Sequence, residues 1–291
     1  CAPGSALAWG ETGNKIVCYL ARELLAPDKA AKLDDLVARF EVAGTRFRHY
    51  STACAFADLA RVKARAHRDA IAAGDRHDVA DLEPWARFAA FNRWHALYLE
   101  REDQIVDEGD CPNVRGCVLS GIAFHSEKLK TGPTDRHPEA VILLGQWVGD
   151  VHQPLHVGFL DDLGGQAIDD VHGLYGPNRT LRAVWDNGII AEARRVEGIG
   201  WMAYARTLLA EIGPDEKAAW AAGDPVAWAR ESHAIATHPE TRYCLKTATA
   251  CEALGRSRFL DQDYQLTNQP KVETRLKQAG VRLADMLAGL L

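Results

Sequence analysis

The stretch VILLGQWVGDVHQPLH, residues 141–156, constrains this chain more than any other. Its apolar residues follow a helical period, with Pro138 suited to the first turn, yet Gln146 and Asp150 lie four residues apart and therefore on the same side of that helix. Pro154 should end the helix and turn the chain, so that His156 approaches the same pocket from a different direction. Burying an aspartate with His152 and His156 beside apolar residues is costly without partners or a metal. A metal site built on Asp150, His152 and His156 would want a ligand one turn before Asp150, and that place is taken by the neutral amide of Gln146.

Other polar residues join the list of candidates. Arg182 and Asp186 repeat the four-residue spacing in TLRAVWD, and Asp58 in CAFADLAR and His95 in NRWHALYL fall within helical patterns that can point them inward. Taken singly, each is more simply a hydrogen-bonded structural residue, and Arg182 with Asp186 a helix ion pair of modest worth. The DVHQPLH run resists that reading.

Helical periodicity extends over most of the chain. In the C-terminal QPKVETRLKQAGVRLADMLAGLL, Val272, Leu276, Ala279, Leu283 and Met286 fall on one face, and GNKIVCYLARELL reads as another helix with Thr12 as its cap. Glycine, proline and aspartate collect in residues 158–179, which reads as an extended loop or a short hairpin. With no repeat or linker, the expectation is an all-α fold: one mostly helical domain over residues 9–291 with a small loop or hairpin insertion. No apolar run is long enough to span a bilayer. A net charge of -6 argues against a polybasic nucleic-acid binder, so an anionic ligand would need a local site. Nothing in the sequence specifies an oligomeric state.

Seven cysteines include two closely spaced sets, Cys111 with Cys117 and Cys244 with Cys251, whose spacing suits local disulfides in an oxidising compartment better than a zinc finger. Cys18 and Cys54 can form a third bridge, leaving Cys1 over. Residues 1–8 read as the tail of an export signal cut after Ala6-Leu7-Ala8, as a lipid-anchored start at Cys1, or as an expression remnant. The first two imply export, to the periplasm, to the medium or to a membrane anchor.

Nearly the whole chain resembles a known family. WGETGNKIV, CAFADLAR, RWHALYL, LGQWVGDVHQPLHVGFLDDLGGQ, LRAVWDNGII, WARESHAIA and AGVRLADMLAGLL follow, in order and length, the secreted zinc-dependent single-strand nucleases of the nuclease S-one and nuclease P-one type, which share their fold with zinc phospholipase C. The resemblance implies a helical fold whose cleft holds three zinc ions, with cleavage of phosphodiester or 3'-phosphomonoester bonds by a zinc-activated water. It implies one zinc on Asp58, His95, residue 146 and Asp150, a second on His156, residue 182 and Asp186, and a third on Asp150, residue 14 and the terminal amine and carbonyl of Trp9. This chain departs from the pattern at three of these places, with Asn14, Gln146 and Arg182 where the family has histidine.

The amides suit a hard ion better than zinc, and Arg182, always protonated, has no lone pair to donate. Ala96 stands where the family has a base-stacking ring, a role that passes to Tyr98, while Arg61 matches the family's phosphate-contacting arginine. Two expectations follow. One is a hydrolase of single-stranded nucleic acid that retains at most one zinc, on Asp58, His95 and Asp150 with the Gln146 amide; its catalytic residues are Asp58, Arg61, Asp150 and Arg182, and its substrate contacts Arg61, Tyr98 and Asn14. The other is a metal-free enzyme or binding protein that uses the same cleft for a small anionic or nucleotide-like ligand.

Overall fold

A computed structural model describes residues 9–112, 116–177 and 179–291, so the expectations for residues 1–8 and for Cys1 lie outside the described residues. At the centre runs the helix His137–Val151, with Pro138 in its first turn, where the proline ring fixes φ and loses no helical hydrogen bond. From Ala140 to Val151 every residue is buried. The helices Gly10–Leu24, Val118–Thr131 and Gln262–Leu290 pack around it, which explains why its sequence is apolar on all sides. Regular strands are short and paired two by two, so the fold is mostly helical, as the periodicity predicts.

In the C-terminal helix Val272, Leu276, Ala279 and Leu283 are fully buried, while Met286 lies at the margin of the core. The first helix starts at Gly10, two residues before Thr12, so Thr12 is not its cap. The backbone supplies the start, Gly13 N donating to the Trp9 carbonyl at 3.2 Å. The indole of Trp9, fully buried, anchors the chain there.

His95 also departs from expectation. It lies outside any α-helix, between the 3-10 segment Glu83–Arg93 and the strand Leu97–Leu99. That strand pairs in parallel with Val157–Phe159, the segment just past Pro154, and the pairing draws the backbone at His95 alongside His156. After Val157–Phe159, residues 160–177 form a loop whose strand Asp170–Gly173 pairs in parallel with the distant Ser257–Leu260, not with a neighbour inside the loop.

Disulfides join Cys18 to Cys54, Cys111 to Cys117 and Cys244 to Cys251, a set suited to an oxidising compartment. No helix among the described residues is long and apolar enough to cross a membrane. The Cys18–Cys54 bridge packs directly on the central helix at Gly145. A Cβ there would stand 2.5 Å from Cys54 Sγ and 2.6 Å from the Tyr50 hydroxyl, which donates to the Val141 carbonyl at 2.9 Å. Only glycine admits this approach, one residue before Gln146.

Replacing Cys18 and Cys54 together by serine reopens a 36-residue separation in the unfolded chain. The expected cost, read from urea unfolding, is about 2–4 kcal/mol. A loss below ~1 kcal/mol would show that the bridge does not hold the first helix against the central one.

Candidate functional site

Seven segments deliver one buried polar cluster. The central helix contributes Gln146 and Asp150, and the 3-10 turn Pro154–His156 contributes His156. The first helix brings Asn14, the helix Phe56–Ala73 brings Asp58 and Arg61, and the segment before the strand at Leu97 brings His95. Arg182 sits in the turn Leu181–Ala183 and Asp186 in the π-helical turn Val184–Gly188 that follows it. Insertions of this kind widen a helix locally and recur at functional sites.

Asp150 is fully buried, and its two oxygens are served by different segments. Gln146 Nε2 donates to Oδ1 at 3.1 Å and Asn14 Nδ2 to the same atom at 3.5 Å, while His95 Nδ1 meets Oδ2 at 2.9 Å. His156 bridges the halves: its Nδ1 bonds the His95 carbonyl, and its Nε2 lies 3.3 Å from Asp186 Oδ1. Arg182 Nε stands 3.3 Å from that same oxygen, and its Nη1 donates to the Leu155 carbonyl at 2.8 Å. Gln153 Nε2 donates to Asp186 as well, and the Gln153 side-chain oxygen accepts from Leu155 N. At the cleft wall Arg61 Nη2 lies 3.4 Å from Asp58 Oδ1.

Burial governs protonation here. It pushes the Asp150 and Asp186 carboxyls well above the usual carboxylate range, against the pull of Arg182. It drives the His95 imidazole down to about 3, despite Asp58 nearby, and the His156 imidazole also far down, with Arg182 adding to the effect. Burial works against the charge on Arg182 too, but Asp186, Tyr98 and Asp150 more than offset it, and its pKa rises. Both imidazoles are therefore neutral near pH 7, and Arg182 carries a fixed positive charge inside the cluster.

A cleft of about 440 Å³ opens onto this cluster, and Arg61, Arg93, His95, Tyr98, Gln166 and Arg182 line it. Beside Arg182 the chain passes through Gly164, at φ +65°, where a Cβ would stand 2.1 Å from the Leu155 carbonyl and 2.6 Å from Arg182 Nη1. The cluster thus gathers Asp58, His95, Gln146, Asp150, His156, Arg182 and Asp186. Arg61 and Tyr98 stand in the cleft wall, whereas Asn14 is fully buried behind Asp150, away from the cleft lining. His152 turns away altogether, its Nδ1 bonding the Val148 carbonyl at 2.7 Å and its Nε2 accepting from Arg282 at 2.9 Å.

Gln153, Arg93 and Gln166 are site residues that sequence reasoning missed. The signal for Gln153 was a polar side chain between two histidines in a run that had to be buried; Arg93 and Gln166 had no signal beyond their nearness to His95 and the Gly164-Gly165 turn. Among the described residues no group of three or more His, Cys, Asp or Glu side chains is arranged to hold a metal ion. Asn14 Oδ1, Gln146 Oε1 and Asp186 Oδ2 are buried without a hydrogen-bond partner.

Removing one partner of a buried ion pair strands the other charge. Arg182→Met is expected to cost about 3–5 kcal/mol in urea unfolding, and Arg182→Met with Asp186→Asn to recover most of that loss. A single variant as stable as the parent would mean that Arg182 does not neutralise Asp186.

Comparison with known proteins agrees with this architecture. The family model described as S1/P1 Nuclease matches residues 9–291. Endonuclease 3 of Arabidopsis thaliana is 26% identical over 97% of this chain and 88% of its own length. Endonuclease 5 of the same plant is 35% identical over 59% of this chain and 60% of its own. Nuclease S1 of Aspergillus oryzae is 28% identical over 61% of this chain and 63% of its own. With a match that runs from Trp9 to the last residue, the chain belongs to the S1/P1 nuclease family.

Proposed function

We propose that residues 9–291 form one nuclease-like helical domain whose cleft binds a nucleotide or single-stranded nucleic acid and holds its phosphate with arginine in place of zinc. The observation that carries this reading is Arg182, 3.3 Å from Asp186 inside the buried cluster, at the position where the family resemblance expects a zinc-ligating histidine. A guanidinium has no lone pair for a metal, and its charge meets the need of the carboxylates that zinc would otherwise answer. Gln146 and Asn14 support the same reading, since each places an amide N–H, not an imidazole, against Asp150. On this reading the residues present do not fit a three-zinc centre.

The chemistry left to the chain's own groups is recognition. Arg61 can pair bidentately with phosphate oxygens, Arg182, whose Nε and Nη1 are engaged by Asp186 and the Leu155 carbonyl, adds its fixed positive charge, Tyr98 and Gln166 offer hydrogen bonds at the wall, and His95, held by Asp150, presents a neutral imidazole to the ligand. The three disulfides suit an exported protein, whether periplasmic, secreted or lipid-anchored.

A second reading has one observation in its favour. The partnerless oxygens of Gln146, Asn14 and Asp186 are of the kind that a single hard cation, or one zinc shared with Asp58, His95 and Asp150, would satisfy. Phosphodiester hydrolysis, the activity the family implies, would then rest on that one ion.

Metal content after incubation with excess zinc and desalting separates the two. The expected result is no bound zinc, no cleavage of single-stranded DNA, and a melting temperature unchanged by chelator. A tightly held ion contributes about 2.7 kcal/mol at a hundred times its Kd, so its removal would lower Tm by roughly 5–10 °C. One equivalent of zinc with chelator-sensitive hydrolysis would overturn the arginine reading in favour of a one-metal nuclease.

A further inference from the structure

The cleft is too small for more than about one nucleotide, and Ala96 gives it no ring at the place beside His95. Two paths across the wall formed by Pro112, Gly116 and Cys117 bear on a strand held there. One leads to a neighbouring cavity of about 430 Å³ that shares Pro112 with the cleft and carries Glu108 and Asp224, both exposed. Two carboxylates make it a poor path for a phosphate backbone.

The other runs along the helix Val118–Thr131, which lends Leu119, Ser120 and Ala123 to that acidic cavity and also carries a basic aromatic patch. The indole of Trp94 backs directly onto the cleft wall: a Cβ on Gly116 would stand 2.6 Å from its Nε1. Trp94 follows Arg93 in the chain, and its ring lies 5.4 Å from that of Phe124, centre to centre. Phe124 is 43% exposed, and Lys128, one helical turn along, holds its ammonium 5.2 Å from the centre of that ring. The inner members of this aromatic group, His125 and Trp147, belong to the core. Phe124 packs one side against Trp94 and His125, the latter at 5.0 Å between ring centres, and leaves the rest of its ring to solvent. The acid nearest on this helix, Glu127, bonds the Thr131 hydroxyl at 3.0 Å.

We infer that Trp94, Phe124 and Lys128 form a second nucleotide subsite outside the cleft, which takes the next base and phosphate of a single strand whose first phosphate lies at Arg61 and Arg182. The inference rests on the reading of the cleft as a phosphate site. A base stacks on the Phe124 face while Lys128 swings from the ring to the phosphate, and an unpaired strand is selected because a duplex keeps its bases stacked on one another.

Fluorescence anisotropy with oligothymidylates of one to six nucleotides, in chelator to prevent any cleavage, tests this on the intact chain. Affinity should rise from the mononucleotide to the di- and trinucleotide. Phe124→Ala should abolish that gain, a loss of roughly 5- to 100-fold for the longer ligands, and leave the mononucleotide unaffected. Phe124→Trp should restore it, and Lys128→Gln should reduce the salt dependence of the oligonucleotide alone. Because Phe124 is exposed, unchanged melting temperatures will confirm that the variants fold. Mononucleotide binding with no gain in length, or a gain that Phe124→Ala leaves intact, overturns the subsite while the cleft reading stands. Oligonucleotide binding sensitive to Phe124 but unchanged by Arg61→Gln, with no mononucleotide binding, would overturn the cleft reading and, with it, the subsite as a continuation of that cleft. If neither ligand binds, both readings fall.

Discussion

A carboxylate with no exposure to water has to be matched by donors or by positive charge from the protein around it, and Asp150 imposes that demand in the last turn of the buried central helix. The answer draws on distant parts of the chain. Asn14 comes from 136 residues away and His95 from 55, while Gln146 reaches over from the preceding turn of the same helix. Asp186 makes a similar demand a short distance off, met by the Gln153 amide and by the charge of Arg182, with His156 Nε2 3.3 Å from it. The helices that carry these residues can pack only in arrangements that bring the donors in, so the polar cluster specifies the tertiary structure as much as the apolar contacts do. The glycines at 145 and 164 serve this convergence by letting a disulfide and a carbonyl approach where any side chain would hold them off.

The cluster also decides what the cleft can bind. The chain is acidic overall, at -6, yet the wall of its cleft carries three arginines, so attraction for an anion is local and short-ranged. Burial keeps the imidazoles of His95 and His156 neutral and leaves Arg182 as a charge that no change near neutral pH removes. In a zinc nuclease such a charge would come from metal ions that also bind and polarise water. A guanidinium supplies the charge and the directed hydrogen bonds without the bound water, which is why the proposed role is recognition of phosphate and not its hydrolysis.

Much of this was legible before any tertiary contact was known. Asp150 and Gln146 had to share a face because they lie four apart on a helix, and Pro154 had to turn the chain and return His156 to the same pocket. Cys111 with Cys117 and Cys244 with Cys251 were close enough in sequence to pair. His95 was misread as helical because its neighbours are apolar at helical spacing, whereas parallel pairing with Val157–Phe159 pulls that segment straight. Thr12 is not the cap because the burial of Trp9, the residue immediately before the first turn, starts the helix without one. Gln153 went unnoticed because an amide beside two histidines looks incidental until the partner carboxylate of Asp186, 33 residues on, is seen against it.

The sequence by itself determined the helical class, the family, the two short-range disulfides and the identity of the polar residues that cannot face water, because each of these follows from local spacing or from the order of motifs along one chain. Only the tertiary structure decided that His152 turns away while His156 turns in, that Asn14 stands behind Asp150 rather than in the cleft, and that an exposed ring and a lysine lie just outside the cleft wall. The reason is that a side chain's partner, unlike its helical face, is set by segments distant in sequence. The direction in which a donor points is settled only when those segments pack.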